Sequence, residues 1–450
     1  MEDARKEKLM ALGAEVLAQV LLELSDRSEM ASDWVEQLVC SSWENLESFQ
    51  EKIADWEEEK DLSDEEQSPD SSLKLWGMLQ VLKSRDFDPQ TGMEVIAQLF
   101  ETDKFLFAFD DEDSMDLERV FQRDAAAQFV KHASRCADKK KVVEMILDLN
   151  RKDPYGIRSC LVDHAWECLP EPAIRSMISE LQVRANAEKE EPGKHRHLDL
   201  IASLARQIKD SKLFEKTLLM TGREASRETV LSIAEVYLES DEVDAAYSWL
   251  QKVPEDSSVH EISRDRLLIK VFRRQGNVEK LSELLRKAFR AYPCVKTLQE
   301  FLDVIGEEKR AEVISQEVAR IQENPKLEEF LVRFLLSVGE TNAAEEYLVR
   351  RANKLDGERY GTLLPLAKDL ESKQVHLAAI LVYRALLVSI LERGMTKAYP
   401  YGASYLKKLD SLAKSISDWK TLDSHGLFLE KLLHDHGRKW SFWSLYKPET

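Results

Sequence analysis

At 450 residues and 43% hydrophobic content, the chain has enough apolar material for two or three ordinary domains or for one elongated array. Fifteen glycines and twelve prolines are too few for the frequent tight turns of a β-rich fold, and alternating β-branched runs are missing, so the expected class is all-α. A formal charge of −19 argues against general nucleic-acid binding, which demands a positive surface.

The start, Met1-Glu-Asp-Ala-Arg-Lys-Glu-Lys, has mixed charge and no apolar core of the kind an export signal needs. Residues 1–56 read as N-terminal helices: 11–24 is strongly amphipathic, and Ser32-Asp33 caps a second helix carrying Trp34, Val35, Leu38 and Trp43. Residues 57–72 form an acidic linker or loop. Between 51 and 70 stand ten acids against two lysines, a run that reads as a solvated segment rather than a metal site.

A helical region follows over 73–187, with apolar periodicity at 73–83, 92–106, 125–134, 140–150, 156–167 and 171–187. Inside it, the acids of Asp110–Asp116 lack the glycine and the register of a calcium loop, so they read as an exposed loop or a capped helix start. Cys160, His164 and Cys168 fall at i, i+4 and i+8 on one face of the predicted 156–167 helix, and ligands at that spacing can share a zinc ion. Three ligands stacked on one straight helix rarely converge on a tetrahedron, even with Cys136 as a fourth. The cysteines therefore read as small core residues beside Leu161 and Trp166, and no metal site is assigned. Five scattered cysteines, Cys40 and Cys294 included, suit a reducing compartment better than a disulfide framework.

Residues 188–222 read as a connecting segment in which Pro192-Gly193 breaks the helical pattern, with one or two short helices over 197–218. From 223 to 391 a helix–short turn–helix unit recurs. Its paired helices are expected at 229–237 and 243–250, 266–274 and 278–292, 295–305 and 310–321, 327–338 and 343–355, and 363–370 and 375–391. Aligning the turns on Gly276, Gly306, Gly339 and Ser372 gives spacings of 30, 33 and 33 residues, the period of tetratricopeptide-type repeats. Glycine suits such a turn because the residue after a helix often adopts the left-handed conformation. Ala245-Ala246, Ala343-Ala344 and Ala378-Ala379 then fall where paired helices cross most closely, and Tyr247, Trp249, Tyr347 and Tyr383 fill the gaps between pairs. The strict consensus of that repeat is absent. The apolar run 377–391 is too short to span a bilayer and contains Arg384.

Residues 392–450 form a basic aromatic helical cap. Between 393 and 447 ten Lys/Arg face five acids, and Arg393, Lys397, Tyr401, Tyr405, Arg438, Lys439 and Trp443 interleave cations with rings. That combination suits phosphate-and-stacking recognition of single strands. It equally suits a terminal cap that buries its rings and keeps its cationic heads in water.

No catalytic motif is found in the chain. The nearest glycines, Gly357 and Gly361, precede no Lys-Ser/Thr, and there is no His-Glu-x-x-His, Gly-x-Ser-x-Gly or Cys-x-x-Cys. No catalytic, cofactor-binding or metal residue is assigned, and no cofactor is expected.

The stretch Leu391-Glu-Arg-Gly-Met-Thr-Lys-Ala-Tyr, with Ala403-Ser-Tyr-Leu-Lys-Lys-Leu and His436-Gly-Arg-Lys-Trp-Ser-Phe-Trp443, resembles the C-terminal region of an uncharacterised bacterial family and the tails of some SWIM zinc-finger proteins. Leu12-Gly-Ala-Glu-Val-Leu-Ala-Gln-Val-Leu-Leu-Glu-Leu24, Val120-Phe-Gln-Arg-Asp-Ala-Ala126 and Asp153-Pro-Tyr-Gly-Ile157 add to the likeness. It implies a bacterial helical-repeat protein of unknown function. The SWIM finger's Cys-x-Cys and Cys-x-His are both missing, so no zinc role follows.

The expected architecture is a right-handed α-solenoid of tetratricopeptide-like hairpins behind an N-terminal helical section. The expected function is a non-enzymatic, cytoplasmic protein-interaction scaffold or adaptor, with no membrane contact, holding a peptide or helix in its groove. Lys270, Arg273 and Arg274 would meet an acidic or amphipathic ligand. The alternative is a nucleic-acid-associated or defence-type accessory protein using the basic aromatic C-terminal segment.

Overall fold

The computed structural model describes residues 2–28, 31–32, 35–36, 39, 51, 71–83, 87–107, 114–222, 226–253 and 259–446. Trp34, Leu38 and Trp43 of the expected second helix, nearly all of the acidic 57–72 segment, Asp110–Asp113 and Cys40 lie outside them. Every regular element among the described residues is helical, and none of those helices is long and apolar enough to cross a membrane.

The chain folds as two compact units, Met1–Arg264 and Asp265–Thr450. The first opens with α1 (Glu2–Met10) and α2 (Ala14–Ser25), which buries none of its residues. It continues through α3 (Ser71–Lys83), α4 (Pro89–Phe100), α5 (Asp103–Leu106), α6 (Ser114–Arg119), a π-helical turn over Val120–Ala125, α7 (Ala126–Arg135) and α8 (Lys139–Arg151). Side-chain caps set two of these starts: Asp88 accepts from the Thr91 amide at 3.0 Å, and Asp138 accepts from the Lys140 and Lys141 amides at 3.1 Å. Met93, Phe100, Phe121, Phe129 and Ile146 fill the core between them.

The helix expected over 156–167 is instead broken into a 3₁₀ turn (Ile157–Ser159), α9 (Cys160–Asp163) and α10 (Ala165–Cys168). The cause is Gln207 of α12 (Glu191–Gln207). Its side-chain amide donates to the Val162 carbonyl at 2.8 Å and accepts from the Trp166 amide at 2.9 Å, two groups that a continuous helix would bond to each other. The alignment of Cys160, His164 and Cys168 on one straight helix is lost with it. The pattern expected over 92–106 is likewise divided, between α4 and α5, at Glu101-Thr102. That bend delivers Asp103 to the interior.

Asp103 there receives a two-pronged ion pair from Arg158, Nε to Oδ2 at 2.8 Å and Nη2 to Oδ1 at 2.6 Å, with 0% and 2% of the two side chains exposed. Arg158 Nη1 donates to the Leu149 carbonyl at 3.3 Å, and its backbone amide donates to Asp153. Arg196 of α12 approaches the same Asp153 oxygen, Oδ2, at 2.8 Å. Burial raises the Asp153 carboxyl above the usual range, against the pull of Arg196. This ionic knot ties α5, α8, the 3₁₀ turn and α12 together.

After α11 (Glu171–Ala187), the reversal Glu188–Glu190 leads into α12, so Pro192 sits in the first turn of a helix rather than between helices. Helices α13 (Ser211–Met220), α14 (Arg227–Glu239) and α15 (Val243–Leu250) follow, each packed on its predecessor, and α16 (Val259–Gln275) runs into the second unit.

The second unit comprises α17 (Val278–Ala291), α18 (Val295–Ile305), α19 (Arg310–Glu323), α20 (Glu329–Ser337), α21 (Thr341–Arg350), α22 (Tyr360–Ser372), α23 (His376–Glu392), α24 (Tyr399–Ala413), α25 (His425–His436) and α26 (Trp440–Trp443). Neighbours in sequence pack as pairs, notably α17 with α18, α20 with α21 and α22 with α23. Helices two apart also touch: α19 with α21, α20 with α22 and α21 with α23. Ala344, Ala378 and Ala379 are fully buried at these crossings, with Tyr347 and Tyr383 beside them.

One helix ending recurs in both units. A residue with positive φ stands at Lys209, Asp241, Gly276, Gly339, Gln374 and Gly394. The amide that follows it donates back five residues, to Ala205, Tyr237, Phe272, Leu335, Leu370 and Ile390, at 2.8–3.2 Å. The turn expected at Ser372 is thus two residues later, because Ser372 is still helical. Gly306 departs from the series: at φ 104°, ψ 137° its amide bonds Leu302, and a 3₁₀ turn (Glu307–Lys309) follows.

Gln374 carries a side chain in a conformation that disfavours one, so Gln374→Gly should raise stability in urea by about 0.5–1 kcal/mol. No atom lies within 4 Å of a methyl group placed on Gly339, so Gly339→Ala should lower stability by a similar ~1 kcal/mol through the backbone alone. Arg158→Met should cost about 3–5 kcal/mol because Asp103 is left charged and unpaired, and Arg158→Met/Asp103→Leu should recover most of that loss. Denaturation midpoints of the three proteins check the order.

Candidate functional site

Between residues 264 and 296 stand ten Lys/Arg and three Asp/Glu, in a chain whose net charge is −19. This stretch is the α16–α17 hairpin and the start of α18. Two contacts fix the hairpin as antiparallel: Lys287 reaches Asp265 at 2.8 Å, and Lys280 lies 5.5 Å over the Phe272 ring. The apolar side of α16 (Leu267, Leu268, Val271, Phe272) is buried. Arg266, Lys270, Arg273 and Arg274, at i, i+4, i+7 and i+8, are all exposed on its opposite side. Lys270 and Arg273 form no ion pair among the described residues. The structure thus brings Lys270, Arg273 and Arg274 onto one helix face.

On α17, Arg286 and Arg290 are one turn apart and border a cavity of about 280 Å³ between α17, α18 and α19. Phe289, Phe301, Ile305 and Val313 form its apolar wall, and Lys309 stands at its rim. The Arg286 guanidinium lies 5.6 Å over Phe301. Among the described residues Arg286, Arg290 and Lys309 have no carboxylate partner. Arginines elsewhere in the unit do: Arg333 holds Asp369 at 2.7 Å, Arg359 holds Glu329 at 2.9 Å, and Arg310 and Arg320 hold Glu307 and Glu317. Both acids on the cavity's α19 side are engaged, Glu317 by Arg320 and Glu312 by Gln316 at 3.0 Å.

The C-terminal candidates are dispersed. Arg393 approaches Glu358 at 3.6 Å, Lys397 is exposed, Tyr401 is 64% exposed, and Tyr405 is half-buried against Tyr383 with ring centres 5.6 Å apart. Arg438 is exposed and Lys439 half-buried, while Trp443 donates its indole N–H to the His436 carbonyl at 2.9 Å and packs on Phe442. Phe442 is fully buried against Tyr399.

Sequence reasoning missed what anchors this segment. Arg384 of α23 is enclosed between Trp419 and Phe428, 5.0 and 4.4 Å from their ring centres, and donates to the Asp423 carbonyl at 2.9 Å. Burial brings its guanidinium down to about 10. Asp410 of α24 accepts from Tyr446 at 2.8 Å and contacts His425 Nε2 at 2.8 Å. The odd charge of Arg384 within the apolar run 377–391 was the one available signal.

Cys160 and Cys168 are buried, and burial pushes their thiols up to about 12 and about 11, whereas His164 is turned out to Glu167 at 2.6 Å. Among the described residues no three His, Cys, Asp or Glu side chains are grouped to hold a metal ion.

The chain belongs to a family of unknown function, DUF6880, which matches residues 217–445. That span takes in the basic hairpin, the cavity and nearly all of the C-terminal segment. It does not reach the pieces at 12–24, 120–126 and 153–157. No curated protein matches the chain.

Within the family span, burial and then Lys439 hold the His436 imidazole below its usual value of 6.5, so the fold favours the neutral ring. The stability this contributes is whole above the ordinary histidine value and is lost as pH falls through the depressed one. Melting temperature should therefore drop between about pH 7 and pH 5, and His436→Gln should flatten that slope.

Proposed function

We propose that residues 223–391 stack as tetratricopeptide-like hairpins and that the protein is a non-enzymatic scaffold or adaptor. On this reading it acts in a bacterial cytoplasm and holds a segment of another protein against its second unit, with the α16–α17 hairpin as the contact region. The observation that carries the reading is the exposed basic face of α16, whose Lys270 and Arg273 form no ion pair among the described residues although the chain is rich in carboxylates. Charged faces of this kind steer encounter and set orientation. The recurring helix ending and the packing of helices two apart support the repeat assignment.

The second reading is nucleic-acid association through the C-terminal segment. Trp440, 81% exposed, and Tyr401 favour it as stacking surfaces near Arg438 and Lys397 in sequence. Against it stand the burial of Tyr399 and Phe442, which makes much of the aromatic content a structural cap.

The deciding experiment is affinity purification from the native host with the wild-type chain and with Lys270→Glu/Arg273→Glu/Arg274→Glu. The expected outcome is a partner protein retained by the wild type, lost from the charge reversal, and released progressively as salt rises. Unchanged partners with the reversed helix would refute the assignment. A steeply salt-dependent gel shift with single-stranded RNA would favour the second reading.

A further inference from the structure

We infer that the cavity between α17, α18 and α19 takes one apolar or aromatic side chain from an acidic amphipathic segment of a partner protein, with Arg286, Arg290 and Lys309 holding the carboxylates that flank it. The inference rests on the scaffold reading and specifies the partner's chemistry. Its first support is charge. Three cations border one opening without a carboxylate partner among the described residues; of the two acids in the same lining, Glu317 is paired with Arg320 and Glu312 is held by the Gln316 amide, so cations are in excess. A ligand bearing carboxylates would supply the missing counter-charges, and arginine can receive them in two-pronged geometry.

The second support is size and lining. At about 280 Å³ the cavity is no larger than the small end of the ~300–1,000 Å³ typical of small-molecule sites, and its wall is built of Phe289, Phe301, Ile305 and Val313. That space holds a single large side chain. Anchors of this kind, a ring seated in a desolvated pocket with charged contacts around it, carry most of the affinity at protein interfaces. The long basic face of α16 lies in the same hairpin and would extend the contact to further acids of the same segment. An extended nucleic-acid strand would use the cations equally but would leave the apolar part of the cavity unused.

The test is fluorescence anisotropy of the full chain with a labelled glutamate-rich synthetic peptide carrying one central tryptophan. Its controls are the same peptide with alanine at the centre and a single-stranded oligonucleotide of similar length. The tryptophan peptide should bind on the order of tenfold more tightly than the alanine peptide. Arg286→Glu/Arg290→Glu should abolish binding of both peptides. Val313→Trp, which fills the cavity and leaves every charge in place, should erase only the preference for tryptophan.

Equal binding of the two peptides, no effect of Val313→Trp, or tighter binding of the oligonucleotide would overturn the inference. So would a dimer in light scattering that Arg286→Glu/Arg290→Glu dissolves, since that would assign the cavity to a second copy. A native partner lost with the α16 reversal but kept by the Arg286, Arg290 and Val313 variants would leave the scaffold reading standing and sink this one alone.

Discussion

Each helix that turns back on its successor must satisfy its last carbonyls and still place an apolar side on the next helix. At six helix endings this chain meets both demands with one device: a left-handed residue after the helix and an amide that donates five residues back. The carbonyl that receives the bond belongs to Ala205, Tyr237, Phe272, Leu335, Leu370 or Ile390, so the residue that closes each turn is also an apolar packing residue. Closure of the backbone and burial of the helix face are therefore coupled. At Gly306 the chain instead inserts a 3₁₀ turn, and α19 follows beside the cavity built from α17 and α18.

The first unit relies on a different interaction for its coherence. Two ion pairs link segments distant in sequence: Arg158 with Asp103, both buried, and the partly exposed Arg196 with the buried Asp153. Buried ions are costly unless paired, and here the Arg158 guanidinium also reaches the Leu149 carbonyl while Asp153 also accepts from the Arg158 amide. Such a knot permits few alternative packings of α5, α8 and α12. The second unit has a smaller analogue in Arg384, held between two aromatic rings where it docks the C-terminal segment.

Electrostatics divide the molecule's surface. Six arginines of the second unit pair with carboxylates one helical turn or one hairpin away, among them Arg333 and Arg359. The α16–α17 hairpin departs from that pattern. Its cations are clustered and its acids few, and the cavity beside it sets Phe289, Phe301, Ile305 and Val313 among charged side chains. A protein whose overall charge repels anions thus keeps one region able to attract them.

The helices from 227 to 392 were legible in the chain because their apolar spacing and turn residues agree. The helices expected over 243–250 and 295–305 recur with those limits as Val243–Leu250 and Val295–Ile305, and glycines mark Gly276 and Gly339 as turns. Gln374, Asp241 and Lys209 adopt the same conformation without the residue that would have announced it, which is why Ser372 was an inviting but wrong anchor. Lys270, Arg273 and Arg274 were readable as one face from their spacing alone. Sequence could not show that Gln207, distant in the chain, would split the helix at His164, or that Asp103 would find Arg158. Nor could it show which arginines, among the described residues, would be left without a carboxylate partner around a cavity. Periodicity and turn chemistry act between near neighbours and are written locally, so the sequence determined an all-helical chain of short hairpins with one basic face. Partnering, burial and enclosure depend on distances between residues far apart in the chain, and those only the tertiary structure decided.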